Sequence, residues 1–365
     1  MTKSKILLLG KLPPPYMGPS IATEIILKSS LNNNFELIHL DTKINNEISS
    51  FGRWSFSKVF RNTSIYFKML SLVRKTKPDM VLIPISQTTT GFFKDSLFIL
   101  IAKLFGGKVV LQLRGSNLKV WVNKSSSVNK RYVKYILKKT QGVIVLGKKL
   151  KYLFEDYYTD DKIFVVPNGA DYSIPTKNKS CELKVLYLSN LLVSKGIEDV
   201  FKAIEILYKK VNAKFTVDVI GEWYNEGDKK TCLSIKENNQ LPIHIHSSKG
   251  VKEKFQYLAD ADIFVFPPRE PEGHPWSIVE AMAAGLPVIS TDMGAITESV
   301  IDTVNGYIVE PKHPEQIAEK LELLIKDTEL RNKMGAASRS LYLTNFTEIK
   351  MVENLTAVFT KIIKQ

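Results

Sequence analysis

The residues best suited to chemistry lie in one segment, where two carboxylates are separated by seven residues. Residues 272–288 read EGHPWSIVEAMAAGLPV and follow an apolar run that predicts a strand. Glu272 falls in the predicted loop and Glu280 about one turn into the next predicted helix. A helix N-terminus offers backbone N–H groups and a positive dipole end, which suits phosphate and hydroxyl groups. Taken alone, Glu280 is equally explained as a helix-start glutamate that the dipole favours.

Lys195 offers the positive charge that a departing diphosphate needs. It follows the predicted strand Lys184–Ser189 in the run Ser-Lys-Gly, just before a predicted helix. Open α/β sheets bind ligands beyond the carboxyl ends of their strands, and both Lys195 and Glu272 are predicted at such ends. A lysine there stabilises a phosphate as a point charge. The alternative is a solvated loop lysine.

Two further candidates lie in the first half of the chain. Arg114 ends the predicted strand Lys108–Leu113, and Gly18 lies between the first strand and the first helix. Arginine cannot act as a base at neutral pH, but it can bind a phosphate or an acidic acceptor. A glycine lets the backbone approach a ligand closely. The alternatives are a surface arginine at a strand end and a simple turn glycine.

Other motifs that could hold a metal are better explained as structural. The Asp260-Ala261-Asp262 run precedes the predicted strand Ile263–Pro267 and therefore lies at the wrong end of the sheet. His244 and His246 alternate along a strand, which favours a structural role. The chain has only two cysteines, too few for a disulfide framework or a zinc site. The sequence therefore predicts no metal and no cofactor.

The elements that must position these residues alternate between short apolar runs and amphipathic stretches in both halves. Such alternation predicts an α/β fold with two doubly wound parallel sheets. We place domains at 1–172 and 173–346, with the helix at 347–365 packing back on the first. The predicted strands are Ile6–Gly10, Phe35–Leu40, Met80–Ile85, Lys108–Leu113, Gly142–Leu146, Lys162–Val166, Lys184–Ser189, Phe215–Ile220, Ile243–His246, Ile263–Pro267, Val288–Ser290 and Gly306–Val309.

The second half resembles the retaining glycosyltransferases of family 4, also called glycosyl transferases group 1. The resemblance rests first on the two glutamates followed by AMAAGLPV. It extends to VPNGAD at 166–171, SKG at 194–196, and to Gly294, Glu298, Asn305 and Gly306. The first half matches only loosely, through Gly18 and Arg114-Gly115. The resemblance implies the GT-B fold, in which two Rossmann-like domains face a cleft.

The resemblance also implies residue roles. It assigns the nucleotide ribose to Glu280, the donor sugar to Glu272 and the phosphates to Lys195. It places the other donor contacts at Gly18, Asn190, Gly273, His274, Trp276 and Ser277.

Two positions depart from the family pattern. Asn190 stands where the family usually has an arginine that assists the phosphate lysine. Arg114 stands where many members have a histidine near the donor sugar, and we assign it to the catalytic residues. Arg114 or Arg269 is the candidate to replace the missing cation.

The implied activity is retaining transfer of a hexose or N-acetylhexosamine from a nucleotide diphosphate sugar, expected to be a UDP-sugar, to a glycan hydroxyl. The expected acceptor is lipid-linked, as in bacterial O-antigen, lipopolysaccharide, capsule or exopolysaccharide biosynthesis. Domain closure would hinge at Pro167–Lys179. Two rivals remain: a nucleotide-sugar epimerase of similar fold, and a non-catalytic module that binds nucleotide or glycan.

The positive charge lies almost entirely in the first half. Residues 1–172 hold 27 lysines and arginines against 11 acids, whereas residues 173–365 hold 24 against 26. Basic and aromatic residues mix in two segments, from Phe51 to Lys77 and from Lys124 to Lys139. This pattern favours an anionic membrane surface over nucleic acid or a merely solvated face. With no signal peptide or membrane span predicted, we expect a cytoplasmic protein at the inner face of the membrane.

Overall fold

The structure, a computed structural model, describes residues 3–14, 16–43, 56–178, 182–210 and 214–365, with the backbone alone for 56–62. Residues 51–55 of the first basic segment and Cys181 lie outside the described residues. The chain divides into two compact units. Unit 1 comprises Met1–Ala170 and Glu348–Gln365, and unit 2 comprises Asp171–Thr347.

Unit 1 is built on a six-stranded parallel sheet with the order β2-β1-β3-β4-β5-β6. The central strands are continuous apolar runs because helices cover both faces of a parallel sheet. Its elements are β1 (Ser4–Gly10), α1 (Gly18–Lys28), β2 (Phe35–Asp41), α2 (Phe56–Thr76), β3 (Met80–Pro84), α3 (Thr89–Leu104), β4 (Lys108–Gln112), α4 (Leu118–Lys124), α5 (Ser127–Leu137), β5 (Gly142–Val145), β6 (Ile163–Val165) and α12 (Glu348–Lys364).

The C-terminal helix α12 completes the core of unit 1. Its buried positions Leu355, Phe359 and Ile362 follow helical spacing and join one core cluster with Ile6 of β1. The Phe359 ring meets that of Phe35 edge to face, with centroids 5.6 Å apart. This helix and α1 therefore cover one face of the sheet. The right-handed crossovers from β2 to β5 place α2, α3 and α5 on the other face.

Unit 2 has a second six-stranded parallel sheet, with the order β12-β11-β10-β7-β8-β9. The strand order reverses between β7 and β10, which is the topological switch point where such sheets bind ligands. Its elements are β7 (Leu183–Leu188), α6 (Ile197–Lys210), β8 (Phe215–Ile220), α7 (Glu226–Asn238), β9 (Ile243–His246), α8 (Val251–Asp260), β10 (Ile263–Phe266), α9 (Trp276–Ala283), β11 (Val288–Thr291), β12 (Gly306–Val309), α10 (Pro314–Lys326) and α11 (Thr328–Asn345).

The fold class predicted from the alternation is confirmed, with all twelve predicted strands present in two doubly wound sheets. Two helices carry weak sequence signals and were not predicted. Helix α7 buries only Cys232, and α11 buries Gly335 and Ser338 beside its larger apolar residues. Each of these helices has too few large apolar residues on its buried face for the sequence to show helical periodicity. No described helix is long and apolar enough to cross a membrane.

Candidate active site

Two loops meet at the switch point of unit 2, one after β7 and one after β10. The backbone N–H of Arg269 donates to the Ser194 carbonyl over 2.9 Å, which ties the loops together. The Lys195 ammonium then forms an ion pair and hydrogen bond with the Glu272 carboxylate. Burial raises the pKa of Glu272, and the adjacent Lys195 opposes that rise. The two residues predicted at separate strand ends thus form one charged pair.

Two glycines permit this close approach. Gly196 follows Lys195 with φ +80°, and a Cβ there would lie 1.9 Å from the Pro267 carbonyl oxygen. Gly294, with φ +68°, packs so closely under the β10–α9 loop that a Cβ would lie 1.6 Å from the Glu272 carbonyl oxygen. Left-handed backbone with no room for a side chain requires glycine. Close backbone packing at Gly294 therefore fixes the position of Glu272, and close packing at Gly196 fixes that of Lys195.

Glu280 lies in the second turn of α9 and is almost fully buried, with 5% of its surface exposed. Its carboxylate accepts a hydrogen bond from the Lys254 ammonium of α8, with Nζ 2.5 Å from Oε1. Burial raises the pKa of Glu280, and Lys254 opposes the rise. A helix-start glutamate that serves only the dipole needs no such partner. The structure therefore shows Glu280 as a buried carboxylate paired with Lys254, and its binding role stays a prediction.

Tyr172 lies close to the same carboxylate. Burial, and then the Glu280 charge, raise the pKa of Tyr172 well above its usual value. Its ring packs against those of Phe255 and Tyr342, and its buried Oη has no hydrogen-bond partner among the described residues. An unpaired buried hydroxyl is costly unless a ligand or water satisfies it. Tyr172 therefore joins the candidate site beside Glu280.

The predicted backbone cradle lies at the N-terminal end of α9, which begins at Trp276 with Pro275 as its N-cap. Gly273 and His274 precede that end, and Ser277 is the second helical residue. The Gly273 carbonyl accepts a hydrogen bond from the Ala295 N–H over 3.1 Å, which holds the loop in place. The four predicted residues therefore cluster at the helix start.

The His274 side chain is part of the packing beneath this loop. Its Nε2 lies 2.6 Å from the Ser299 hydroxyl, and its ring packs against Phe346. Burial lowers its pKa from 6.5 to about 4, so the imidazole stays neutral at physiological pH. The side chain therefore supports the loop as a neutral hydrogen-bonding group.

The unit 1 candidates lie at the carboxyl edge of its own sheet. The Arg114 guanidinium donates to Gln112 Oε1 over 2.9 Å and to Asn168 Oδ1 over 3.5 Å. Burial lowers its pKa to about 10, so Arg114 still carries its charge at neutral pH. These bonds exclude a merely solvated strand-end arginine. Gly18 is the first residue of α1, on the loop that follows β1.

Comparison with known proteins identifies the family that unit 2 matches. Residues 171–341, nearly all of unit 2, match the family model described as Glycosyl transferases group 1. The chain is 24% identical over 330 residues to the capsular polysaccharide biosynthesis glycosyltransferase CapM of Staphylococcus aureus, covering 84% of this chain and 83% of CapM. Unit 2 therefore carries the glycosyl transferases group 1 domain.

Other similar proteins add detail. A Campylobacter jejuni enzyme is 24% identical over 58% of this glycosyltransferase and 52% of its own length. Its name is N,N'-diacetylbacillosaminyl-diphospho-undecaprenol alpha-1,3-N-acetylgalactosaminyltransferase.

Solved structures establish the GT-B fold. A Rickettsia africae glycosyltransferase covers all of both chains at 18% identity with a TM-score of 0.76. Anabaena HepE in complex with UDP-glucose covers 98% of this chain and 99% of its own, at 15% identity and a TM-score of 0.74.

The cation that would replace the missing family arginine is not supplied by Arg269. Its guanidinium binds Asp199 through two hydrogen bonds of 2.7 and 2.6 Å and lies 3.2 Å from Glu198. Asp199 is 98% buried and needs this partner. Asn190 is exposed after β7, and its carbonyl accepts the Leu192 N–H. Lys195 is therefore the cation that the glycosyltransferase brings to Glu272.

The Asp260 and Asp262 carboxylates have structural partners. Asp260 accepts hydrogen bonds from Asn178, and Asp262 binds Lys177 and the Lys184 N–H. His246 similarly pairs with Asp218 over 2.9 Å. Within the described ranges, no group of three or more histidines, cysteines or acids is arranged to hold a metal ion.

Two site residues were missed at the sequence level, Lys254 and Tyr172. Lys254 lies 26 residues before its partner Glu280, in a lysine-rich helix where nothing singles it out. Tyr172 lies in the turn-rich segment assigned to the domain boundary. Only packing reveals that both flank the buried carboxylate.

Acid is expected to destabilise the glycosyltransferase partly through His274. The unfolded chain binds a proton at this residue below about pH 6.5, whereas the folded one resists protonation until about pH 4. Stability is therefore lost as pH falls through that window, by roughly 2 kcal/mol between about pH 7 and pH 5. Urea unfolding at both pH values measures the free energy of unfolding. Between these pH values, His274→Gln should lose less of that free energy than the parent protein, by roughly 2 kcal/mol. Equal losses in the two proteins would contradict the assignment.

Proposed function

We propose that the chain is a retaining transferase that moves a hexosyl or N-acetylhexosaminyl group from a UDP-sugar to a glycan hydroxyl. The observation that carries this proposal is the Lys195–Glu272 pair at the switch point of unit 2. Such a pair offers a cation for a diphosphate beside a carboxylate that can accept hydrogen bonds from sugar hydroxyls. The UDP-glucose complex of the structurally similar HepE supports the choice of donor.

Each residue has a distinct task in this proposal. Lys195 binds the diphosphate and stabilises the negative charge that develops as it leaves. Glu272 accepts hydrogen bonds from the donor sugar, and Glu280 accepts them from the ribose hydroxyls. The start of α9, from Gly273 to Ser277, presents its N-terminal dipole to the donor. Asn190 completes the proposed donor contacts of unit 2.

The reaction proceeds on one face of the donor sugar. The acceptor hydroxyl oxygen bonds to the anomeric carbon on the side from which the diphosphate departs. The bond between that carbon and the phosphate oxygen breaks, and the acceptor proton passes to a phosphate oxygen. The nucleoside diphosphate leaves with the electron pair, so the anomeric configuration is retained. The protein positions both substrates and stabilises charge, without a metal.

We further propose a lipid-linked acceptor in the assembly of a bacterial surface polysaccharide, at the inner face of the cytoplasmic membrane. Support comes from CapM, named for capsular polysaccharide biosynthesis, and from the Campylobacter enzyme, whose name specifies an undecaprenol-linked substrate. The basic first half of the chain suits contact with an anionic leaflet.

The decisive test is thermal unfolding with UDP, GDP, ADP and CMP in the presence of a chelator. UDP at about a hundredfold its Kd should add roughly 2.7 kcal/mol to the free energy of unfolding. Glu280→Gln should show a smaller shift, because a neutral amide binds ribose hydroxyls more weakly. A rise in unfolding temperature with another of these nucleotides would show that the donor is a sugar of that nucleotide and not a UDP-sugar. No shift with any of them would reject the donor site.

The two rivals differ in what they release. A transferase releases UDP from a UDP-sugar panel in proportion to added acceptor, whereas an epimerase interconverts sugars without acceptor. A binding module releases nothing. NMR of the product's anomeric proton separates retention from inversion, and an inverted product would reject the proposed mechanism.

Lys254→Met is expected to raise the donor KM about tenfold while kcat changes little. The substitution leaves the buried Glu280 without its counter-charge and so costs a charge-assisted hydrogen bond. Without Lys254 the pKa of Glu280 rises further, so protonation should weaken donor binding at a higher pH than in the parent protein. Steady-state kinetics across pH measure both effects.

The matched control is Lys252→Met, because Lys252 is exposed two residues away on the same helix α8. It should leave the donor KM unchanged. A Lys254→Met protein with the parental KM and pH profile would show that Lys254 does not position Glu280.

A further inference from the structure

One face of unit 1 carries an apolar stripe on its outer surface. Helix α3 presents Phe93, Leu97 and Leu104 to solvent, with exposed fractions of 52%, 40% and 76%. Their spacing of four and seven residues aligns them along one side of the helix. We call these three residues the α3 stripe. Soluble helices normally turn such a stripe toward the core.

Basic helices flank the α3 stripe on both sides. The Tyr66 ring of α2 packs against Phe98 of α3, with centroids 4.8 Å apart. On the other side, Tyr132 of α5 stacks on Phe93 at 4.7 Å. Helix α3 therefore lies between α2 and α5 on the sheet face opposite α12. Among the side chains that the structure describes, the exposed basic residues of the flanking helices are Lys68, Arg74, Lys75, Lys130, Arg131 and Lys134.

Almost no negative charge balances this face. Residues 56–140 contain seventeen lysines and arginines but only two acids, Asp79 and Asp95. Asp95 is buried and accepts the Ser86 N–H, and Asp79 accepts the Lys5 N–H. These two carboxylates therefore offset only a small part of the seventeen positive charges.

Positive charges crowd the end of the α3 stripe. Burial, and then the nearby Lys139, lower the pKa of Lys103 in the last turn of α3. The Lys139 ammonium lies 4.4 Å from the centre of the exposed Tyr135 ring. Lys103 and Lys139 therefore add two neighbouring positive charges at this end of the α3 stripe. The aromatic and basic pair also suits the headgroup region of a membrane.

We propose that the α3 stripe and the basic helices beside it dock on an anionic phospholipid leaflet. The apolar side chains enter the boundary between headgroups and acyl chains, while the lysines and arginines bind lipid phosphates. This proposal specifies which surface makes the membrane contact that the proposed function includes. It rests on the proposed function only in assuming that the acceptor is linked to a lipid.

The rival occupants fit this face less well. A nucleic acid would use the positive charge and could stack on Phe93, but it would leave Leu97 and Leu104 exposed to water. A second copy of the chain would bring two strongly basic faces together, which charge repulsion opposes. An anionic leaflet matches both the charge and the apolar stripe.

The test is flotation with vesicles of equal parts phosphatidylglycerol and phosphatidylcholine, without donor or acceptor. The parent protein should float with these vesicles at low ionic strength and not with phosphatidylcholine alone. The triple variant Arg131→Glu, Lys134→Glu, Lys138→Glu should partition about tenfold or more weakly. Leu97→Gln with Leu104→Gln should weaken partition and leave the residual binding more sensitive to salt.

Matched controls come from exposed residues of unit 2. Lys210→Glu, Lys230→Glu, Lys333→Glu makes the same charge change elsewhere, and Leu323→Gln with Leu343→Gln removes two exposed leucines elsewhere. Both controls should float like the parent. Circular dichroism and thermal unfolding confirm that every variant is folded.

Several outcomes would overturn the proposal. One is that the parent protein does not float with anionic vesicles. Another is that the test and control variants lose vesicle binding equally. A third is that the test variants keep vesicle binding and lose only binding to a homopolymeric RNA. Sugar transfer to a soluble acceptor separates this proposal from the proposed function. The surface variants should retain that transfer, and vesicle binding can fail while transfer persists.

Discussion

Replacing Lys195 by methionine is expected to lower kcat by on the order of a hundredfold to a thousandfold. Lys195 is the cation that unit 2 places beside Glu272, and Arg269 is already bound to Asp199. The departing diphosphate would therefore lose its main charge stabilisation. The loss should appear mainly in kcat, because the negative charge grows in the transition state.

The same substitution should change the pH dependence of activity. Glu272 keeps its burial but loses the neighbour that holds its pKa down, so its pKa rises further. As pH falls, the remaining activity of the variant should therefore begin to decline at a higher pH than the activity of the parent protein. The rate of UDP release with saturating donor and acceptor, measured across pH, tests both expectations.

Lys177→Met is the control for this experiment, because Lys177 also pairs with a carboxylate in unit 2, that of Asp262, outside the site. It should keep parental kcat. If Lys195→Met and Lys177→Met turn over alike while both unfold at the parental temperature, Lys195 does not assist departure of the diphosphate.

Gly294→Ala is expected to destabilise the protein by about 2 kcal/mol or more and to reduce activity strongly. The new Cβ would lie 1.6 Å from the Glu272 carbonyl oxygen, and φ at this position is +68°. A non-glycine residue costs roughly 1–2 kcal/mol in left-handed backbone before any clash is counted. Relief of the clash requires movement of the Glu272 loop, and a displacement of about 1 Å can cost a hundredfold in rate.

Gly285→Ala separates the two contributions. Gly285 has a similar φ of +73°, but a Cβ there would lie 3.6 Å from its nearest neighbour, the Gly335 carbonyl oxygen. It should show the cost of the backbone conformation alone and keep near-parental kcat. Urea unfolding and steady-state rates measure the difference. Equal effects of the two substitutions would show that contact with the Glu272 loop does not matter.

The architecture was predictable because its signals are local. Most strands of both sheets are short apolar runs, and parallel strands buried on two faces need no partner information to be recognised. The candidate carboxylates were predictable for the same reason, since loop and helix positions follow from the run of residues 272–288. Helices α7 and α11 escaped prediction because their buried faces include few large apolar residues.

The charge partners depended on the tertiary structure. Lys195 and Glu272 are 77 residues apart, and Lys254 and Glu280 are 26 apart, so their pairing requires the folded sheet. The engagement of Arg269 by Asp199 likewise removed a candidate that sequence alone left open. The sequence shows how many charges the chain has, but burial and distance decide which of them act together.

By itself, then, the sequence determined the twelve strands, the two glutamates and the lysine at strand ends, and the basic first half. Tertiary structure decided that strands β7 and β10 are neighbours, which brings Lys195 to Glu272. It also decided that Phe93, Leu97 and Leu104 face solvent, although their apolar character alone predicts a core position. Local patterns follow from backbone geometry and side-chain polarity, whereas these contacts depend on packing between segments distant in the chain.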